Sequence, residues 1–137
     1  MGPILIDTCA AIWISSDQDL TDNATAALDD AADQDAAVYV SPITAWEIGM
    51  LAAKDRLKIL MSAERWFDGF LRRSGARLAE MPPNLLIGSS FLPGSPPKDP
   101  ADRIIAATAR ELEATLITRD RHLLEYARQG HIRAIEC

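Results

Sequence analysis

Four carboxylates in this chain stand where solvation alone gives them no reason to be. Asp7 follows the apolar run Ile4-Leu5-Ile6, and Asp120 follows Leu116-Ile117-Thr118. Glu47 lies between Trp46 and Ile48 on a predicted helix that opens at Ser41-Pro42. Asp102 stands one turn into a predicted helix that opens at Asp99-Pro100. Carboxylates gathered in one cleft repel one another, and their pKa values rise unless a cation neutralises them. The economical cation is a hard divalent metal such as Mg2+ or Mn2+, held by a few carboxylates together with waters and phosphate oxygens. A centre of that kind polarises a phosphate and activates a water without a protein nucleophile.

Each acid also has a plainer reading. Asp7 and Asp120 each precede a predicted helix and suit an N-cap. Asp102 falls three residues after Asp99, the spacing of a capping box. Glu47, part-buried among Trp46, Ile48 and Leu51, suits a salt bridge to an Arg or Lys, because a buried charge needs a partner. Thr8 and Thr118 adjoin two of the acids and suit supporting hydroxyls that hold a carboxylate or a water. Arg103, next to Asp102, suits either an ion pair with a nearby acid or a phosphate contact. His122 and His131 fall beside basic residues and at a strand start, outside any Ser-His-Asp or metal spacing.

The elements that must position these side chains follow from periodicity. Ile4–Ile6, Val38–Val40, Arg77–Met81, Thr115–Thr118 and Ile132–Ile135 read as short strands. Between them lie predicted helices over Ala10–Ser15 with Thr8 as cap, over Thr21–Asp33, and from Ser41-Pro42 to about Asp55. Ser62 opens another, with Trp66, Phe67, Phe70 and Leu71 as its apolar stripe and Gly75 as its stop. Residues 82–98 are rich in proline, with a short helix expected over Asn84–Phe91 and a loop over Leu92–Lys98. Asp99 and Pro100 then start a helix whose stripe is Ala101, Ile104, Ile105, Thr108, Ala109 and Leu112, and Arg121–Arg128 forms the last, closed by Gly130. Short apolar strands alternating with helices give an α/β fold with a mostly parallel, about five-stranded sheet. Ligands in such sheets bind at the carboxyl ends of the strands, where the strand order reverses.

Composition sets the outer bounds. The 137 residues fit a single domain over positions 1–137 with a sizeable core. No apolar run approaches the roughly 20 residues of a membrane span, and the N-terminus runs into a strand without a secretory pattern. Cys9 and Cys137 form no metal spacing; Cys9 reads as a small buried residue and Cys137 as a frayed end, and a reducing cytoplasm is the expected compartment. The net charge of −6 looks wrong for a nucleic-acid enzyme until it is divided. Residues 16–37 hold seven Asp and no Lys or Arg, whereas from residue 36 onward 14 basic residues face 12 acidic ones. The excess is therefore local, either a solvated helix face or an acidic surface for a basic partner. Lys54, Arg56 and Lys58, and Arg72, Arg73 and Arg77, close two helices and suit either the helix dipole or RNA phosphates.

Ile6-Asp7-Thr8, Thr44-Ala45-Trp46-Glu47-Ile48, Asp99-Pro100-Ala101-Asp102-Arg103 and Thr118-Arg119-Asp120 together resemble the four acidic motifs of the PIN-domain ribonucleases, above all the small VapC toxins of VapBC toxin–antitoxin pairs. The resemblance runs nearly the whole chain, with the motifs in family order. It implies a three-layer α/β/α PIN-like fold with the first and fourth strands adjacent. It implies a Mg2+- or Mn2+-dependent endoribonuclease, with Asp7, Glu47, Asp102 and Asp120 as metal ligands. It also implies a homodimer neutralised by a VapB-like antitoxin in a heterotetramer or larger assembly. Trp66, Phe67, Phe70 and the Ala-rich helices are the expected surplus of apolar surface for that dimer. The chain departs from close relatives at Pro97-Lys98, where His-Arg is frequent; Lys98 keeps a charge but not a forked donor. Two rivals differ in class. A receiver-like Mg2+-binding signalling domain calls for paired acids after the first strand and a lysine after the last, and neither is present. A catalytically inactive PIN fold that only binds a partner fits poorly with retention of all four acids.

Overall fold

Three-residue apolar runs are too short to persist alone, and here they become strands by pairing side by side. A computed structural model describes residues 2–137. In it β1 (Ile4–Ile6) lies between β2 (Val38–Val40) and β4 (Thr115–Thr118). β3 (Arg77–Leu78) extends the sheet beyond β2, and β5 (Arg133–Glu136) extends it beyond β4. The order is β3-β2-β1-β4-β5, and every pairing is parallel.

Parallel neighbours require crossovers, and helices supply them. α1 (Thr8–Ser15) and α2 (Asp22–Asp33) join β1 to β2, and α3 (Pro42–Ala53) and α4 (Ala63–Ser74) join β2 to β3. α5 (Pro83–Gly88) and α6 (Pro100–Leu112) lead to β4, and α7 (Arg121–Arg128) leads to β5. Side-chain alternation divides the core into two. Ile4, Ile6, Val40 and Ile117 face one way and pack with α1, α2, α3 and α4 through Ala10, Ala27, Ile48, Phe67 and Phe70. Leu5 and Leu116 face the other way and pack with α6 and α7 through Ile105, Ala109, Leu123 and Tyr126. The result is three layers, α/β/α, as the family resemblance implies. Leu5, Leu116 and Ile117 have no exposed surface, and burying each such side chain contributes about 1.5–3 kcal/mol. No helix among the described residues is long and apolar enough to cross a membrane.

The structure corrects several expectations. Asp7, not Thr8, caps α1, its side chain accepting from the Ala10 N–H. β3 stops at Leu78 rather than Met81 because β2 ends at Val40, where Ser41 turns into α3; only Ala79 N–H still finds the Val40 carbonyl, at 2.9 Å. α3 ends at Ala53, and Asp55 takes a left-handed φ of 55°. α5 covers Pro83–Gly88 rather than 84–91, and β5 covers Arg133–Glu136 rather than 132–135. Trp66, Phe67 and Phe70 lie inside, with the Trp66 and Phe70 rings stacked at 5.8 Å. They therefore offer no dimer surface. Among the described residues the exposed large apolar side chains are instead Trp46, Leu60, Met61, Leu78, Leu86, Ile87 and Phe91. Cys9 is exposed, and Cys137 is buried with its N–H donating to the Thr118 carbonyl at 3.1 Å.

Candidate active site

β1, β2 and β3 build outward on one side, and the chain then returns to lay β4 against the other side of β1. The order therefore reverses between β1 and β4. Asp7 leaves the carboxyl end of β1 and Asp120 follows the carboxyl end of β4, so both sit at that reversal. Glu47 enters from the second turn of α3 and Asp102 from the first turn of α6.

Asp7 is almost fully buried, at 3% exposure. One oxygen, Oδ1, accepts from the Ala10 N–H at 2.8 Å, and Oδ2 accepts from the Thr118 hydroxyl. Thr118, fully buried, also accepts the Asp120 N–H at 3.0 Å, so a single hydroxyl ties the two strand ends together. Asp120 caps α7 through Oδ1, which accepts from His122 and Leu123 N–H groups at 2.8 and 3.0 Å. The capping readings of Asp7 and Asp120 are thus real, and they fix the carboxyl groups at the edge.

Glu47 Oε1 accepts from Thr8 Oγ1 at 2.5 Å, and Thr8 Oγ1 lies 3.0 Å from Thr44 Oγ1. Thr44 is fully buried one turn before Glu47 on the same face of α3. This threonine pair holds a carboxylate where the sequence suggested a salt bridge. Among the described residues the sole ion pair is Arg128–Glu125, both exposed. None of the four acids has a basic partner among the described residues. Asp102 donates its backbone N–H to Asp99 Oδ1 at 3.0 Å, yet among the described residues no donor reaches its own carboxyl group. Half of the capping box is present, and the Asp102 carboxylate is free.

The electrostatics record the crowding. Burial pushes Asp7 up to about 6 against the Thr118 and Ala10 hydrogen bonds, with Asp120 and Glu47 adding to the rise. Burial pushes Asp102 up to about 7, reinforced by Asp120, Asp99, Glu47 and Asp7. Glu47 is raised by burial and by Asp99 and Asp120, and the Thr8 hydrogen bond opposes this. The structure thus brings Asp7, Glu47, Asp102 and Asp120 into one field. It adds Asp99, which the sequence offered only as a cap. Cys9 shares the field, its thiol pushed up to about 11 by partial burial and then by Asp7, Glu47, Asp120 and Asp102. Arg103 turns elsewhere, its NH1 directed at the Ser89 carbonyl 3.5 Å away. His131 packs on Tyr126 at 5.3 Å, and His122 is exposed.

Whether a cation suits this edge is decided by the donor set. Among the described residues no three carboxylate, imidazole or thiol groups converge tightly enough to enclose a metal by themselves. A fully protein-ligated site such as structural zinc is therefore a poor match. Mg2+ and similar hard ions keep several waters and take one or two carboxylates plus phosphate oxygens, and oxygen donors with uncompensated charge fit them. A cavity of about 380 Å3 lies by Tyr39, Leu78, Glu80, Leu85, Thr108 and Glu111 and contains none of the four acids.

Comparison with known proteins agrees with this fold. The sequence model of the PIN domain matches residues 4–129. Ribonuclease VapC22 of Mycobacterium tuberculosis is 31% identical over 123 residues, covering 90% of this chain and 91% of its own. Among solved structures, VapBC2 from Rickettsia felis, bound to a promoter DNA fragment, superposes with a TM-score of 0.69 at 17% identity over 98% of each chain. VapBC-1 from nontypeable Haemophilus influenzae gives 0.62 at 17% identity over 98% and 97%. FitAcB from Neisseria gonorrhoeae gives 0.57 at 22% identity over 96% of each. At those identities the superpositions speak for the fold.

Proposed function

From the premise that the chain belongs to the PIN-domain family, we propose that it is an endoribonuclease toxin of the VapC kind, restrained by a VapB-like antitoxin. The observation that carries the reading is the set of four carboxylates at the strand-order reversal with no basic partner among the described residues. Asp7, Glu47, Asp102 and Asp120 would hold a divalent cation, one or two of them directly and the others through waters that the ion keeps, with Mg2+ or Mn2+ the proposed ion. When bound, such an ion polarises the scissile phosphate, lowers the pKa of an attacking water and steadies the leaving oxygen. The chain's own part is placement. Thr118 keeps the Asp7 carboxylate aimed and couples it to the Asp120 backbone. Thr8, backed by Thr44, fixes one oxygen of Glu47. Asp99 keeps the start of α6 in register and adds negative charge beside Asp102.

The proposed reaction is hydrolysis of an RNA phosphodiester by water, in the cytoplasm, by residues 1–137 acting as one domain. The proposed substrate is single-stranded or looped RNA, whose unstacked bases the surrounding loops can reach. The proposed assembly is a homodimer, joined by the antitoxin into a heterotetramer or larger complex. An antitoxin segment carrying an Arg or Lys complements the acidic edge and competes with the cation there. The test is cleavage of labelled RNA by the purified chain. Activity with Mg2+ or Mn2+ that stops on adding EDTA is expected. Full activity in chelator would overturn the assignment of the four carboxylates.

A further inference from the structure

Four carboxylates that attract a cation also repel every phosphate flanking the scissile one. An RNA strand laid along this edge therefore needs a fixed positive charge close by. We propose that Arg119, stacked on Trp13, is a phosphate-binding residue that seats the RNA strand beside the four-carboxylate edge. The proposal rests on the nuclease reading above.

Arg119 stands between Thr118, whose hydroxyl holds Asp7, and Asp120, the fourth acid. Its guanidinium carbon lies 3.9 Å from the centroid of the Trp13 ring. Trp13 is itself anchored, its Nε1–H donating to the Asp19 carbonyl at 2.9 Å. The ring covers one side of the guanidinium carbon, and the N–H groups directed away from it form the fork that matches phosphate bidentately. The stack also removes side-chain freedom before any ligand arrives, so less is lost on binding. Arg119 is exposed and has no carboxylate partner among the described residues. A structural ion pair does not explain it.

Two other cations next to the acids in sequence are less suited. Arg103 spends NH1 on the Ser89 carbonyl at 3.5 Å. Lys98, next to Asp99, is exposed and carries a compact charge on a flexible stem. Among the described residues Arg119 alone is held by an aromatic ring. An arginine there reads the backbone and not the bases, so it acts on affinity for any sequence.

The experiment is cleavage kinetics on a dye-labelled, mixed-sequence single-stranded RNA in Mg2+ over a series of KCl concentrations. It compares wild type, Arg119→Gln and Arg119→Lys, with unfolding midpoints measured alongside. Gln keeps a planar group that stacks on Trp13 while removing the charge. Arg119→Gln is expected to raise KM about tenfold with kcat within about twofold, and to flatten the slope of log(kcat/KM) against log salt by about 0.7–0.9, the share of one phosphate contact. Arg119→Lys is expected to restore the slope but not the whole of KM. Unchanged KM and slope in an active enzyme would overturn the proposal alone. So would a fall in kcat without a change in KM, which moves Arg119 into the chemistry. A wild-type chain inactive on RNA would instead overturn the nuclease reading, and this proposal with it.

Discussion

Thr118 and Asp7 are 111 positions apart, and the Thr118 hydroxyl donates to Asp7 Oδ2 across the β1–β4 junction. Thr118 Oγ1 in turn accepts the Asp120 N–H. One buried hydroxyl therefore sets the spacing between two acids that arrive from opposite ends of the chain. The parallel pairing of Ile6 with Ile117 makes this possible, because it brings both strand ends to the same level.

Thr118→Val keeps the shape and removes the hydroxyl. It leaves Asp7 Oδ2 and the Asp120 N–H without that partner, a loss of about 1–3 kcal/mol for a buried polar group. The Thr118 bond lowers the Asp7 pKa, so its removal raises it further. The acid limb of the pH–rate profile should move to higher pH, and denaturant unfolding should show the lost stability. An unmoved acid limb would mean that Thr118 does not govern Asp7.

The raised acids also set how metal-free stability depends on pH. Asp7 rises from 3.8 to about 6 and Asp102 from 3.8 to about 7 in the fold. The folded state then binds more protons than the unfolded state between those values, so stability falls as pH rises through the window. In EDTA the melting temperature is expected to be higher near about pH 5 than near about pH 8, and saturating Mg2+ should flatten the difference. A chelated protein that instead gains stability from pH 5 to 8 would contradict the crowded-carboxylate picture.

The local part of this site was legible in the sequence, and the reciprocal part was not. The apolar runs before Asp7 and, one residue removed, before Asp120, and the Asp99-Pro100 and Ser41-Pro42 helix starts, are properties of nearby residues, and the structure places these strands and helix starts as read. Thr44 behind Thr8, Asp99 within the negative field, and Cys9 facing outward depend on which residues the fold sets opposite them. Thr44 carried one faint signal, its position one turn before Glu47 on a predicted helix. β3 illustrates the same limit. Arg77–Met81 has strand character throughout, but its length is decided by where its partner β2 turns away. The aromatic stripe of α4 was correctly grouped, yet whether it met the core or a partner chain was undetermined until α4 was packed.

Glu47→Gln and Asp102→Asn separate the chemistry from the scaffold. Gln retains an acceptor for Thr8, and Asp102 has no donor of its own to lose among the described residues. Each change removes one like charge from the edge. RNA cleavage should drop by about two orders of magnitude or more, the scale of losing one preorganised electrostatic element. Melting temperature in EDTA should hold or rise. A large loss of stability in either variant would show the acids to be structural rather than part of a metal edge.

Gly94 gives the last test, and it concerns the segment that leads into Asp99. Gly94 has a φ of +69°, and an added Cβ would overlap the His131 ring and stand 2.8 Å from Gln129 Oε1. The same stretch is tied to α7 on both sides of Gly94. Tyr126 OH donates to the Pro93 carbonyl at 2.7 Å, Ser95 N–H donates to Gln129 Oε1 at 2.9 Å, and Gln129 Nε2 donates to the Ser95 carbonyl at 3.0 Å. Glycine is thus required by backbone conformation and by close approach together. Gly94→Ala should cost about 1–3 kcal/mol from strain and overpacking, read as a lower denaturation midpoint. Ser95→Ala keeps the backbone groups that Gln129 binds and should leave the midpoint within about 0.5 kcal/mol of wild type. If Gly94→Ala were as stable as Ser95→Ala, the segment before α6 would not be clamped against α7, and the start of α6 would owe its position to Asp99 and Pro100 alone.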